Sequence, residues 1–274
     1  IWSTDTPEEH TYSDINSNPT GILMDRNLGA TSATPGDIGA LGLLYQWGRK
    51  DPFMGSSSIS SDTPKKTTIK WPNYVLTDET TGTIEYAISH PTIFIYRSGN
   101  DWLYQNSDST AYSRWTAKKT IYDPCPPGWR VPSHSFWVNS NISMQDFDNV
   151  NKGKVVSGGC DASAWFPVSG NLEWENRLVN TGVWGHYWTC DKSSSSNSWA
   201  MRLYNNNYDN YNNNSYRGHS IRCQKDEEYS NTSVPSVVVD SIATATSTSA
   251  ELFANITYSG WSDITEMGVV YSTT

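Results

Sequence analysis

The chain is poor in positive charge, in cysteine and in long apolar runs. Its 274 residues carry 19 Lys and Arg against 28 Asp and Glu, a formal net charge of -9. An acidic surface repels phosphate groups, so we expect neither nucleic acid nor an anionic membrane surface as a partner. No apolar run approaches the ~20 residues of a membrane-spanning helix, so we predict no direct membrane span.

Motifs for metal, nucleotide or calcium binding are also missing. The sequence has no EF-hand loop, no His-Glu-x-x-His motif and no phosphate-binding Gly-rich loop. Its five His are dispersed without the spacing of a metal site. Glu173 and Glu175 would share a face of a strand, but a retaining glycosidase needs its carboxylates about 5 Å apart across a cleft. We therefore predict no metal, no cofactor and no enzymatic activity.

Four cysteines, Cys125, Cys160, Cys190 and Cys223, occur without any Cys-x-x-Cys pair. This even count favours two disulfides and an oxidising compartment. Three pairings are possible. We favour Cys125–Cys223 with Cys160–Cys190, because the outer bridge then joins the start of a subdomain to its last strand. Four reduced, buried thiols are the alternative.

Changes in composition divide the chain. Residues 1–20 are predicted to be an extended lead-in, 21–224 an α+β unit, 225–233 a polar linker and 234–274 a partial β domain. In the α+β unit, Ser133 is a candidate N-cap of a short helix that buries Phe136 and Trp137. A second helix is expected around Ser143–Val150.

The last segment contains the pattern of three strands, at Val237–Ile242, Ala250–Tyr258 and Met267–Tyr271. A β-sandwich has about seven strands. We expect the missing strands to come from sequence beyond Thr274 or from a neighbouring chain. Because the chain begins at Ile1 without Met or a signal peptide, we expect it to be a piece of a longer protein.

Residues 204–216, here called the Asn/Tyr tract, contain only Asn, Tyr, Asp and Ser. Asn competes for backbone hydrogen bonds and disfavours strands, yet both flanking segments, 198–204 and 219–223, alternate as strands do. We predict a polar insert on the exposed side of a small antiparallel meander. The predicted ligand-binding residues are Asn197, Trp199, Tyr204, Asn205, Asn206, Asn207, Tyr208, Asp209, Asn210, Tyr211, Asn212, Asn213, Asn214, Ser215 and Tyr216.

Five short motifs together carry a family resemblance: DRNLGA (25–30), YQWGRKDPF (45–53), DPCPPGWRVPS (123–133), YW (187–188) and GHSIRC (218–223). They resemble the Fibrobacter succinogenes major paralogous domain of Bacteroides-like surface proteins, which is similar to the formylglycine-generating-enzyme type of C-type lectin fold. The resemblance implies a C-type-lectin-like domain over 21–224. The segment 234–274 resembles the first half of a fibronectin-III-like or Ig-like β-sandwich.

The Asn/Tyr tract is also similar to the variable region of proteins diversified by retroelements, in which randomised adenines turn Asn codons into codons for Tyr, Asp and Ser. An Asn-rich surface loop without this history is the alternative reading.

These resemblances imply an extracellular binding or adhesion module at a bacterial cell surface, attached to the outer membrane or a pilus. Its partner would be a host or bacterial surface protein or a glycan. A structural spacer in a surface fibre or lipoprotein is the main alternative. An enzyme of the formylglycine-generating type is disfavoured because no cysteine pair near the C-terminus matches the catalytic spacing of those enzymes.

Overall fold

The computed structural model describes residues 7–65, 71–97, 100–104, 112–159 and 162–226, and the backbone alone of 236–245 and 250–258. The chain divides into two compact units, Ile1–Asp226 and Glu227–Thr274. The described structure is mostly β-sheet with few helices. No helix among the described residues is long and apolar enough to cross a membrane.

The strands of the first unit follow in chain order. They are β1 (Glu9–Ser13), β2 (Pro19–Met24), β3 (Leu44–Gln46), β4 (Pro52–Phe53), β5 (Ser56–Ser58), β6 (Ser61–Pro64), β7 (Asn73–Leu76), β8 (Ile93–Tyr96), β9 (Trp129–Arg130), β10 (Ile142–Met144), β11 (Gly153–Gly158), β12 (Ser163–Pro167), β13 (Asn171–Leu172), β14 (Leu178–Val179), β15 (Trp184–Lys192), β16 (Asn197–Tyr204), β17 (Asn207–Asn214), β18 (Gly218–His219) and β19 (Gln224–Lys225). Its described helices are α1 (Ile84–Ser89), α2 (His134–Asn139) and two 3-10 turns, Ile38–Leu41 and Trp174–Asn176.

Three sheets of the first unit bring distant parts of its sequence together. The order β1-β2-β19-β9 joins the beginning of the unit to its end, and β14-β13-β18-β3-β4 joins strands from residues 44–53 to strands from residues 171–219. The third sheet, β15-β16-β17, carries the tract. Aromatic side chains fill the interior between the sheets, and Trp47, Trp102, Trp115 and Trp188 are among its largest fully buried side chains. Among the described residues, six Trp are buried, at 47, 102, 115, 137, 165 and 188, so about half of the described Trp serve the core.

The predicted lead-in over residues 1–20 is wrong for its described part. β1 pairs antiparallel with β2, from Glu9 opposite Met24 to Ser13 opposite Pro19. Tyr12 is fully buried and meets Phe136 edge to face. The prolines that suggested a lead-in lie at residue 7, before β1, and at residue 19, the first residue of β2, where proline is tolerated.

One of the two predicted helices is confirmed. The Ser133 hydroxyl accepts from the Phe136 amide at the start of α2, which buries Phe136 and Trp137. The helix expected around Ser143–Val150 is wrong, because β10 pairs there with β11. The Asp148 carboxylate then accepts from the amides of Val150 and Asn151, which closes a turn instead of a helical start.

The outer predicted disulfide, Cys125–Cys223, is confirmed. The second pairing is wrong, because Cys190 is a free, buried thiol. Its side chain packs in the same apolar cluster as Cys125 and Cys223. Cys160 lies outside the described residues.

The second unit contains two described strands, β20 (Ser236–Ala245) and β21 (Ala250–Tyr258), paired antiparallel with three irregularities of register. They agree with two of the three strands predicted there. The third, at residues 267–271, lies outside the described residues. The predicted linker also begins too early, since residues 224–225 form β19 and the Asp226 amide donates to the Gly128 carbonyl at 2.9 Å.

Candidate functional site

The Asn/Tyr tract forms a strand and not the irregular insert that its composition predicts. All eight residues of β17 pair with β16, from Tyr204 opposite Asn207 to Asn197 opposite Asn214. Asn205 and Asn206 make the two-residue turn between the strands, and Asn205 has a φ of 42°. Asn is one of the few residues other than Gly that adopt this left-handed backbone readily. Pairing with a strongly patterned neighbour therefore overrides the weak strand propensity of the tract.

β17 is the edge strand of the sheet β15-β16-β17, and its side chains alternate between two faces. We call the first the Arg202 face, because residues 207, 209, 211 and 213 lie on the same side as Arg202 and Tyr204. The second is the Trp199 face, where residues 208, 210, 212 and 214 lie on the side of Trp199. The prediction that the four tyrosines of the tract form one exposed patch is therefore wrong.

On the Arg202 face, one guanidinium organises the aromatic side chains. Arg202 donates from Nε and Nη2 to both carboxylate oxygens of Asp209, at 3.0 and 2.6 Å. Its guanidinium carbon lies 4.0 Å from the ring centre of Tyr211 and 4.8 Å from that of Tyr204. Trp184, 37% exposed, lies at 5.7 Å. The hydrogen bonds that Arg202 donates to Asp209 are the main cause that raises the pKa of Arg202, so the charge is permanent.

Two stacked, buried histidines lie beneath the side chains of Arg202 and Tyr211. The rings of His186 and His219 are 4.7 Å apart, and His219 also stacks on Trp188 at 3.9 Å. Burial lowers the pKa of His186 to about 3 and that of His219 well below its usual value, helped by neighbouring charges. Asn213 reaches the His219 ring, Nδ2 to Nε2, at 3.3 Å and is itself buried. Asn213 is therefore part of the interior and not of a binding surface.

On the Trp199 face, the side chains of the tract are more exposed to solvent than on the Arg202 face. Tyr208 is 43% exposed, and Asn210 and Asn212 are exposed. The half-buried Trp199 stacks on His134 at 4.3 Å, at the start of α2. At the turn, the Asn206 side chain accepts from the Phe147 amide at 2.9 Å, which ties the hairpin end to the neighbouring loop.

The end of the tract is buried. Tyr216 is 4% exposed and meets Tyr96 edge to face at 5.1 Å. The Ser215 hydroxyl accepts from Lys192 at 2.9 Å and bonds the Ser198 hydroxyl at 2.7 Å. Lys192 in turn donates to the buried Asp101 at 2.5 Å. Ser215 and Tyr216 were predicted to be ligand contacts, but both instead anchor the strand to the core.

Several residues of the five sequence motifs are scaffold residues. The Trp47 indole donates to the Thr189 carbonyl at 2.8 Å, within the strand β15. Arg222 is buried and donates to the Asn27 side chain at 2.9 Å. The first contact holds β15, in the sheet that bears the tract, and the second joins two of the motifs in the core. They do not themselves form a reactive centre.

Cys190, the described cysteine with a free thiol, is a poor nucleophile. Burial raises the pKa of its thiol, and the neighbouring Asp191 carboxylate raises it further. A reactive cysteine needs an electropositive and accessible setting. Among the described residues, no group of three or more His, Cys, Asp or Glu is arranged to hold a metal ion.

The sequence analysis did not identify Trp184, Arg202 and His134 as neighbours of the tract. The alternation of Arg202 with apolar residues in β16 was visible in the sequence, but the side chain opposite Arg202 depends on the register of β17.

In comparisons with known proteins, no family model, no curated protein and no solved structure matches the chain.

Proposed function

We propose that this chain is an extracellular ligand-binding or adhesion module of a bacterial surface protein or pilus tip, and that the Asn/Tyr tract is its contact surface. One observation carries the proposal. Asn205, Asn206, Asn207, Tyr208, Asn210 and Asn212 are exposed along one turn and one edge strand, while the next strands of the same sheet are anchored in the core.

The chemistry of the exposed residues fits recognition of a macromolecule. Tyr offers a large contact area with few rotatable bonds, and Asn offers adaptable hydrogen bonds, as in antibody paratopes. The Arg202–Asp209 pair limits the movement of Tyr204 and Tyr211 before any ligand arrives. A surface that is already ordered loses less entropy on binding.

The fold we propose for the first unit is the formylglycine-generating-enzyme type of C-type lectin fold, and for the second an Ig-like or fibronectin-III-like β-sandwich. Diversification by a retroelement is the proposed origin of the tract. The structure limits where such diversity is tolerated. Residues 207, 208, 210 and 212 can change without disturbing the core. The left-handed backbone of Asn205 and the hydrogen bond from the Phe147 amide to Asn206 restrict change at the turn, and Asn213, Ser215 and Tyr216 are buried. Alleles from related strains should therefore vary at the first set and not at the second.

Two observations support an extracellular binding role over the alternatives. The Cys125–Cys223 bridge is typical of proteins from oxidising compartments. The buried Cys190 thiol is unsuited to the cysteine chemistry of a formylglycine-generating enzyme. A structural spacer would need no exposed Asn/Tyr strand.

The test is binding to an array of glycans and purified extracellular proteins. We compare the wild type with a variant in which Asn207, Tyr208, Asn210 and Asn212 are changed to Ala. The matched control is Tyr74→Ala, because Tyr74 and Tyr208 are both 43% exposed and Tyr74 lies on β7. We expect the tract variant to lose the array signal while its melting temperature stays close to that of the wild type. Equal signals for all three proteins would assign the binding to another surface and contradict the proposed site, whereas no signal for any of them would favour the spacer.

A further inference from the structure

The outer edge of β17 presents a row of backbone groups. At one end of the strand, the Ser215 amide donates to the Ser196 carbonyl at 3.0 Å. At the other end, Tyr204 and Asn207 close a two-residue turn. Residue pairs of antiparallel strands alternate between hydrogen-bonded and non-hydrogen-bonded pairs. Both ends of β17 show that the odd-numbered residues belong to the hydrogen-bonded pairs. The odd residues 207–213 bond to β16, and the even residues direct their N–H and C=O groups outward.

Three consecutive outward residues have open backbone groups. No described residue bonds the backbone N–H or C=O of Tyr208, Asn210 or Asn212. Beyond them the edge is closed, because the Asn214 amide donates to the Asn213 side chain at 2.9 Å and the Asn214 carbonyl accepts from Arg217. The open edge thus coincides with the most exposed part of the tract.

This edge lacks the features that usually block strand addition. Natural edge strands are protected by Pro, by Lys, by inward-pointing charges or by bulges. β17 contains no Pro and no Lys, and its register with β16 runs without a bulge over all eight pairs. Asp209 is its one charged residue, and that carboxylate is paired with Arg202.

We propose that the occupant of this edge is an extended segment of a partner polypeptide, which adds to the sheet as a fourth strand beside β17. This rests on the proposed binding function and specifies the class of its ligand. Outward N–H and C=O groups repeat every second residue, roughly 6.8 Å apart, a spacing that another extended chain matches and a sugar does not. Pairing with a second copy is opposed by the net charge of -9 on each chain.

The decisive comparison is Asn210→Pro against Asn210→Ala in the full chain. Both substitutions remove the amide side chain, but only proline removes the outward N–H. Proline is tolerated on a strand edge where the N–H faces solvent. The probes are linear twelve-residue peptides, selected from a random displayed library on the wild-type protein.

Whatever the shared loss of the amide side chain costs, we expect Asn210→Pro to bind the selected peptides at least about tenfold more weakly than Asn210→Ala does. Equal binding by both variants would show contact through side chains alone and would overturn the strand-addition proposal. Array binding of a glycan by the wild type, with no peptide enriched, would also overturn it while leaving the binding function intact.

Amide hydrogen exchange followed by NMR provides a second readout that does not depend on the proline variant folding. In the free protein, the amides of Tyr208, Asn210 and Asn212 should exchange fast, while those of residues 207, 209, 211 and 213 are protected. A selected peptide should protect the first set. Protection of that set without peptide, in a protein that sediments as a dimer, would assign the edge to a second copy and contradict the proposal.

Discussion

At the scale of single residues, burial decides what each functional group can do. The Cys190 thiol donates to the Asp191 carboxylate at 3.5 Å and lies in an apolar cluster. We expect an alkylating reagent to leave Cys190 unmodified in the native protein and to modify it after unfolding without reductant. Peptide mapping by mass spectrometry measures both states. A Cys190 peptide linked to Cys160 would contradict this prediction and restore the pairing favoured from sequence.

The stacked histidines predict a loss of stability in mild acid. His186 is neutral when folded, because burial and the charges of Arg202 and Arg217 lower its pKa to about 3 from a usual 6.5. Below the usual value the unfolded chain binds a proton that the folded chain does not. The stabilisation present at neutral pH is therefore lost as the pH falls from 6.5 towards 3, at about 1.4 kcal/mol per pH unit for one histidine.

Urea denaturation at a series of pH values between about 6 and 4.5, above the usual pKa values of carboxyl groups, measures this slope. The His186→Gln variant provides the comparison. Removing the titrating ring should flatten the profile even if it lowers the stability at every pH. Parallel profiles for the two proteins would show that His186 does not cause the pH dependence.

Residue-level chemistry was only partly predictable from sequence. The N-cap role of Ser133 follows from local rules, because the capping hydroxyl and the amide it serves are three positions apart. The partner of Arg202 does not follow in this way. Asp209 meets it only through the register between β16 and β17, which is set by the turn at 205–206 and by the burial of Met201 and Leu203.

At the scale of elements, hydrophobic alternation over 198–204 located β16, whereas composition misassigned the polar segments. β17 is a strand because its inner edge is fully paired, although its Asn residues disfavour strands. The expected helix at 143–150 is wrong for the same reason, since β10 pairs with β11 and an Asp148 turn follows. Polar segments depend on tertiary pairing, which single-residue propensity does not contain.

The Cys125–Cys223 bridge is the covalent link between elements that we expect to matter most for stability. It spans 98 residues and joins the turn before β9 to the segment before β19. In the chain-entropy model a loop of this size contributes about 4.7 kcal/mol. The double variant Cys125→Ala with Cys223→Ala should lose a free energy of unfolding of this order in urea denaturation. A loss below about 1 kcal/mol would contradict the chain-entropy account at this site.

At the scale of the whole molecule, the first unit is closed by its own last residues. Gln224 pairs with Leu23 in β2 and with Arg130 in β9. Lys225 also bonds the Glu9 carboxylate at 2.7 Å. The charged and polar composition predicted a linker from residue 225. The sequence does not show that β2 and β9 lie on either side of an open position, which β19 fills. The end of the unit was therefore placed two residues too early.

Two truncated chains test whether residues 224–226 belong to the folded unit or to a linker. One chain ends at Asp226 and the other at Cys223, so both lack the second unit and both retain the disulfide. If residues 224–226 were the start of a linker, the two proteins would unfold at the same urea concentration. Because β19 fills the position between β2 and β9, its removal exposes backbone groups on both neighbours. At about 0.5–1.5 kcal/mol for each lost hydrogen bond, we expect the shorter chain to be less stable by at least about 2 kcal/mol.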